Sequence, residues 1–212
     1  MEGRQRRLNS FKAGIKKEIC RSTKSCGGFT LVELMIALTI GLVILAALYN
    51  LFSAQNKSLS VQETIVEMQQ NARAAMDMMA TEMGMTGYDP AGTSPAGIST
   101  FSANSIAFTQ DLNGDADVSD PNESIAYSYD SGHLRISRNT GGGPQPYAEN
   151  VEALNYTYYN AAGATTATLA DIRKIKIEIR TRTARIDPSY ATNGGYRTYT
   201  LTSYVTPRNL AY

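Results

Sequence analysis

Tryptophan is absent from this 212-residue chain, histidine occurs once, at His133, and cysteine twice, at Cys20 and Cys26. With no cysteine after residue 26, the bulk of the chain has no disulfide framework, no thiol nucleophile and no cysteine metal ligand. Five residues separate Cys20 from Cys26, where CxxC redox chemistry needs two. A lone histidine leaves serine and threonine hydroxyls without a base partner, and no zinc spacing or glycine-rich phosphate loop occurs. The residues therefore offer no means of running an enzyme; the chain reads as a non-enzyme, and a secreted enzyme is set aside. Net charge is scarce too, at a formal +1, but it is unevenly placed. Residues 1–28 hold eight Lys/Arg against two Glu, a net +6, and the remainder is net −5.

Proline and glycine are missing between Leu42 and Met83. Within and before that stretch lies the run Phe29 to Phe52, apolar apart from Thr30, Thr39, Asn50 and one charge, Glu33. As a helix at ~1.5 Å per residue it reaches about 36 Å, enough to cross a ~30 Å hydrocarbon core. The basic flank before it stays cytoplasmic by the positive-inside rule, so everything after Phe52 is expected on the far side of the membrane. An ordinary secretory signal, cut near Ser53-Ala54-Gln55, competes with this reading. Its apolar core would run only ~7–15 residues and would not contain a carboxylate.

Glu33 is the anomaly, since an acidic residue deep in a membrane helix costs roughly 2.5–3.5 kcal/mol, less near an end. A cationic partner would offset that cost; otherwise Glu33 snorkels to the interface. Scission between Gly28 and Phe29 would place a new α-amino group four residues from Glu33. Gly27-Gly28 followed by Phe29-Thr30-Leu31-Val32-Glu33 resembles the type IV prepilin family, over about residues 26–52. The resemblance implies cleavage by prepilin peptidase after Gly28 and N-methylation of Phe29. It also implies that Glu33 meets the Phe29 amine of a neighbouring subunit, setting the axial register of a filament.

Further stretches are similar to the PilW-type minor pilins: Gly41-Leu42, Gln69-Gln70-Asn71-Ala72-Arg73, Glu82 to Gly87-Tyr88, and Arg208-Asn209-Leu210. Gln70 stands where that group has glutamate, Met85 or Gly84 where it has arginine, and Asn50 where major pilins often carry proline. The resemblance implies a minor type IV pilin that helps initiate or cap pilus assembly. Its partners would be the prepilin peptidase, other major and minor pilins, the inner-membrane assembly platform and the lipid bilayer. The expected location is the bacterial inner membrane, single-pass with a periplasmic head, and then the pilus at the cell surface. A minor pseudopilin of a type II secretion system and a membrane-tethered calcium- or ligand-binding module are the alternatives.

Beyond Asn50, apolar or small residues recur at Leu59, Ile65, Met68, Ala72, Met76, Met79 and Met83, one face of a helix that Gly84, Gly87 and Asp89-Pro90 bring to a stop. The pattern predicts one helix from about Phe29 to Met85, its methionines serving as core filler, with Arg73 and Asp77 paired at i,i+4. Residues 89–104 and 141–146 read as loops. Strands are expected at Ser105–Phe108, around Ile125, Tyr127 and Tyr129, at His133–Ser137 as a hairpin return, and at Val151–Tyr159. Clearest is Arg173–Arg182, where Ile175, Ile177 and Ile179 alternate with charged residues, with Tyr196–Val205 as its antiparallel neighbour. The expected fold is α+β, pilin-like, a long N-terminal helix packed on an antiparallel β-sheet head. Its divisions are a cleaved basic leader (1–28), an assembly helix (29–52), an amphipathic helix (53–87) and a β-rich head (88–212).

Two clusters remain. Asp111, Asn113, Asp115 and Asp117 place oxygens at alternate positions, like the opening of a calcium loop, and Ca²⁺ takes six to eight oxygens. Ala116 stands where such a loop has glycine, and Glu123 comes one place late, so an Asx-rich surface turn is the competing reading. The basic stripe Arg173, Lys174, Lys176, Arg180, Arg182 and Arg185 reads as a solvated strand face, with contact to DNA or an acidic subunit as its alternative.

Overall fold

The structure is a computed structural model and describes residues 28–210. They fall into two compact units, dividing between Gln55 and Asn56. A single helix, α1 (Leu31–Gly84), runs through the division, as the lack of proline and glycine requires. Eight strands follow: β1 (Ile98–Phe101), β2 (Ser105–Thr109), β3 (Ser124–Asp130), β4 (Arg135–Asn139), β5 (Gln145–Glu149), β6 (Val151–Tyr159), β7 (Lys174–Arg182) and β8 (Thr198–Val205).

The head holds two sheets where the sequence suggested one. The first is the antiparallel meander β1-β2-β3-β4-β5, and the second is β6-β7-β8. The division has a local cause. Between β5 and β6 stands Asn150 alone, in the left-handed region at φ 57°, which breaks one extended run into two. Its carbonyl accepts the Arg182 amide at 2.8 Å, and the Tyr156 amide reaches the Ala103 carbonyl at 2.7 Å, tying the second sheet to the first.

In the second unit, α1 buries Met68, Ala72, Ala75, Met76, Met79 and Met83. Of these, Ala75, Met76, Met79 and Met83 pack with Phe108, Ile125, Tyr127 and Ile136 of the first sheet and with Leu154, Ile175, Ile177 and Ile179 of the second. Fully burying each such side chain stabilises by about 1.5–3 kcal/mol. The covering face starts later than the periodicity suggested: Leu59 is 56% exposed, and Ile65 only half-buried. The described residues show six ion pairs, and Arg73–Asp77 is not among them.

Two strands escaped the sequence reading. β1, four residues from Ile98 to Phe101, lies inside the stretch 89–104 expected as loop. β5 contains Pro146, tolerated because β5 is an edge strand and needs no amide on its open side. His133 moves in the other direction, out of the strand and into the β3–β4 turn. There Asp130 Oδ1 accepts the Gly132 and His133 amides, and Leu134 adopts φ 51°, so β4 starts only at Arg135.

The helix exit is closed by Arg208 and Asn209, from the segment after β8. Gly87 has φ +78° and donates its amide to Thr109, and a Cβ there would lie 3.0 Å from the Asn209 carbonyl oxygen. Glycine is required on both counts. The Arg208 amide donates to Gly84 at 3.3 Å and Asn209 Nδ2 to Met85 at 3.4 Å, satisfying carbonyls a helix end leaves open.

Candidate functional site

Glu82, in the last turn of α1, meets a cation and a phenol supplied by the first sheet. Arg138 of β4 donates through Nη2 to Glu82 Oε1 at 2.7 Å and through Nε to Oε2 at 3.2 Å, a two-pronged pairing. Tyr127 Oη donates to Oε2 at 2.5 Å. Burial, then this hydrogen bond, pushes the Tyr127 hydroxyl well above the usual tyrosine range. Burial first, and the Glu82 charge second, push Tyr147 up to about 12. The cluster is mostly enclosed, with 15% of the Glu82 side chain and 20% of the Arg138 side chain exposed, and it clamps the helix to the sheet. Sequence reading missed it because its partners lie 56 residues apart.

The Asp-rich loop turns its oxygens toward its own backbone. Asp111 is fully buried, its Oδ1 accepting the Gly114 amide at 2.6 Å and its Oδ2 the Ala116 amide at 3.1 Å. Asn113 Oδ1 takes the Asp115 amide, Asp115 Oδ1 takes that of Asp117, and Asp117 Oδ1 takes that of Ser119, a ladder of Asx turns. Glu123 accepts the Leu112 amide at 2.8 Å and the Asp120 amide at 3.3 Å. The four residues thus lie in one loop, but among the described residues no group of three His, Cys, Asp or Glu is arranged to hold a metal ion.

At the other end of the described chain, Gly27 lies outside the described residues. Gly28 is exposed, with open space where a Cβ would go, and Phe29 is 89% exposed. Thr30 and Glu33 close a capping box on the first turn of α1. The Glu33 amide donates to Thr30 Oγ1 at 3.2 Å, and the Thr30 amide donates to Glu33 Oε2 at 3.0 Å. The Thr30 hydroxyl reaches the same Oε2 at 3.0 Å, and Oε1 accepts no hydrogen bond among the described residues. A negative charge there also complements the helix N-terminus. The spacing Thr30-x-x-Glu33 announces this box in the sequence, beside the pairing with the Phe29 amine that the family resemblance implies for Glu33. Every large apolar side chain from Phe29 to Phe52 is exposed, on all sides of the helix. A helix apolar all round needs lipid or other helices to cover it, and this one is long and apolar enough to cross a membrane.

Residues 23–49 match the model of the prokaryotic N-terminal methylation motif. The motif takes in Gly27, Gly28, Phe29 and Glu33 and ends inside the apolar helix. Among solved structures, a type IV-like pilin from Thermus thermophilus is similar at 16% identity and a TM-score of 0.42, covering 68% of this chain and 98% of that one. No curated protein matches the chain.

Proposed function

We propose that this chain is a minor type IV pilin of the PilW type, cleaved by prepilin peptidase between Gly28 and Phe29 and methylated at Phe29. One observation carries the reading: a glycine–phenylalanine junction inside a methylation motif heads a helix whose apolar surface is uncovered from Phe29 to Phe52. Scission there frees an amine on Phe29. Glu33 Oε2 is already held by Thr30, which keeps the carboxylate at the helix start with Oε1 open to the Phe29 ammonium of a neighbouring subunit. A carboxylate in oil is costly alone and tolerable when paired, so the pairing fixes the stagger between subunits. The basic leader holds the N-terminal side in the cytoplasm and the head is periplasmic until the subunit leaves the inner membrane for the pilus. Its partners are then the peptidase, the assembly platform, and the major and minor pilins with which it primes or caps the filament.

The decisive test is the N-terminal peptide of the protein recovered from cells with a working peptidase. Mass spectrometry should find N-methylated Phe29. A protein that keeps its leader would sink the proposal. Co-purification with pilus rather than secretion-system components separates a pilus from a pseudopilus.

A further inference from the structure

On the outward face of the second sheet, where β6 and β8 flank the start of β7, lies a cleft of about 380 Å³. Tyr159 and Tyr204 form its walls, their ring centroids 6.4 Å apart and inclined by 47°, an open wedge. Arg173 and Lys174 line it, and no carboxylate does. Lys174 Nζ sits 5.4 Å from the Tyr204 ring centroid, and no Asp or Glu pairs with Lys174 or Arg173 among the described residues. Arg173 is held in place by donating Nη1 to the Ala170 and Ile172 carbonyls. Tyr204 is 58% exposed, so its ring is accessible from solvent.

The rest of the face differs. Lys176 pairs with Glu178 at 3.0 Å and Arg180 with Glu152 at 3.1 Å, whereas at the tyrosine wedge two adjacent cations, Arg173 and Lys174, stand without an acidic partner among the described residues. A second ring–cation stack, Arg182 over Tyr196 at 4.2 Å, stands at the other end of β7, roughly 26 Å away at ~3.3 Å per residue.

We propose that this cleft binds a nucleotide unit, a planar base with its phosphate, presented either free or within a single strand of nucleic acid. The base stacks on the open face of Tyr204 and the phosphate meets Lys174 and Arg173. Aromatic faces beside uncompensated cations are what base stacking and phosphate attraction require, without any reading of base edges. A neutral sugar would also stack on tyrosine, but it gains nothing from two cations and would find no carboxylate to accept its hydroxyls. This inference does not depend on the filament role.

The test uses the full chain in detergent micelles, with labelled oligothymidylate, the same sequence as duplex, adenosine monophosphate, inorganic phosphate and heparin as probes. Oligothymidylate should bind, and rising salt should weaken it. Tyr204→Ala and Lys174→Ala, both at exposed positions, should each weaken binding about tenfold with the melting temperature unchanged. Binding of the monophosphate as tight as that of the strand identifies the free nucleotide as the source; affinity growing with strand length identifies the strand. Either supports the site. No binding of strand or nucleotide, binding indifferent to both substitutions, or equal binding of heparin, duplex or bare phosphate would overturn it.

Discussion

One helix, α1, lives two lives. Up to Gln55 its large apolar side chains are all exposed; beyond Asn56 it buries a methionine and alanine face and leaves the opposite face to solvent. The first part is apolar on every side, and none of the described residues covers it. The second is apolar on one face, and the chain's own sheets cover it. Hydrophobicity alone does not separate the two. Its distribution around the helix does, and that distribution divides a surface awaiting partners from a core already satisfied.

The largest effect expected from breaking this contrast is on assembly. In the proposed filament Glu33 is one member of a buried ion pair, and removing one member of such a pair costs ~3–5 kcal/mol, so Glu33→Ala should lower incorporation into filaments by roughly a hundredfold or more while leaving membrane insertion and cleavage intact. Immunoblots of sheared filaments against the membrane fraction measure it, and normal incorporation would remove the role given to Glu33. The same helix should respond oppositely to truncations in its two parts. Met79→Ala, at a fully buried position, should cost the head ~2–5 kcal/mol. Leu38→Ala, at an exposed one, should leave the head's melting temperature where it was. Equal losses from both, read by thermal unfolding, would erase the distinction.

Smaller is the loss from the clamp. Glu82→Ala strands the mostly enclosed Arg138 and should cost about 1–3 kcal/mol, with Glu82→Gln retaining part of it. Smallest and most gradual is the alkaline limb. The pKa of Tyr127 is raised in the folded state, so its contribution is whole below the ordinary tyrosine value of 10.0 and fades as pH rises above it. Melting temperature should therefore fall above pH ~10, with tyrosine absorbance changing at the same pH as unfolding. Tyrosine ionisation at the ordinary value without loss of structure would contradict the buried environment.

Legibility in the sequence followed the range of each interaction. α1 was visible because nothing between Leu42 and Met83 interrupts a helix, and β7 because Ile175, Ile177 and Ile179 alternate with charge. β6 emerged with the bounds Val151–Tyr159 expected of it. The capping box at Thr30 and Glu33 was local and readable, though lipid and the Phe29 amine drew the reading of Glu33 elsewhere. What could not be read was tertiary. A single left-handed Asn150 splits the sheet, a proline is accepted because its strand lies at an edge, and Glu82 finds Arg138 only once β3 and β4 have formed. The acidic loop carries oxygens at suggestive intervals, but spacing does not say which way they point; in each of Asp111, Asn113, Asp115 and Asp117 at least one oxygen accepts a backbone amide.

The closure of Gly84–Gly87 by Arg208 and Asn209 carries a temporal consequence. The Asn209 side chain reaches Met85 across 124 positions of chain. A ribosome delivers α1 well before residues 208 and 209, so the helix end waits, bare, through the synthesis of everything between. Nascent chains stalled before residue 208 should accordingly be cut by proteases near Gly84–Gly87, and that site should become resistant only once Arg208 and Asn209 have emerged.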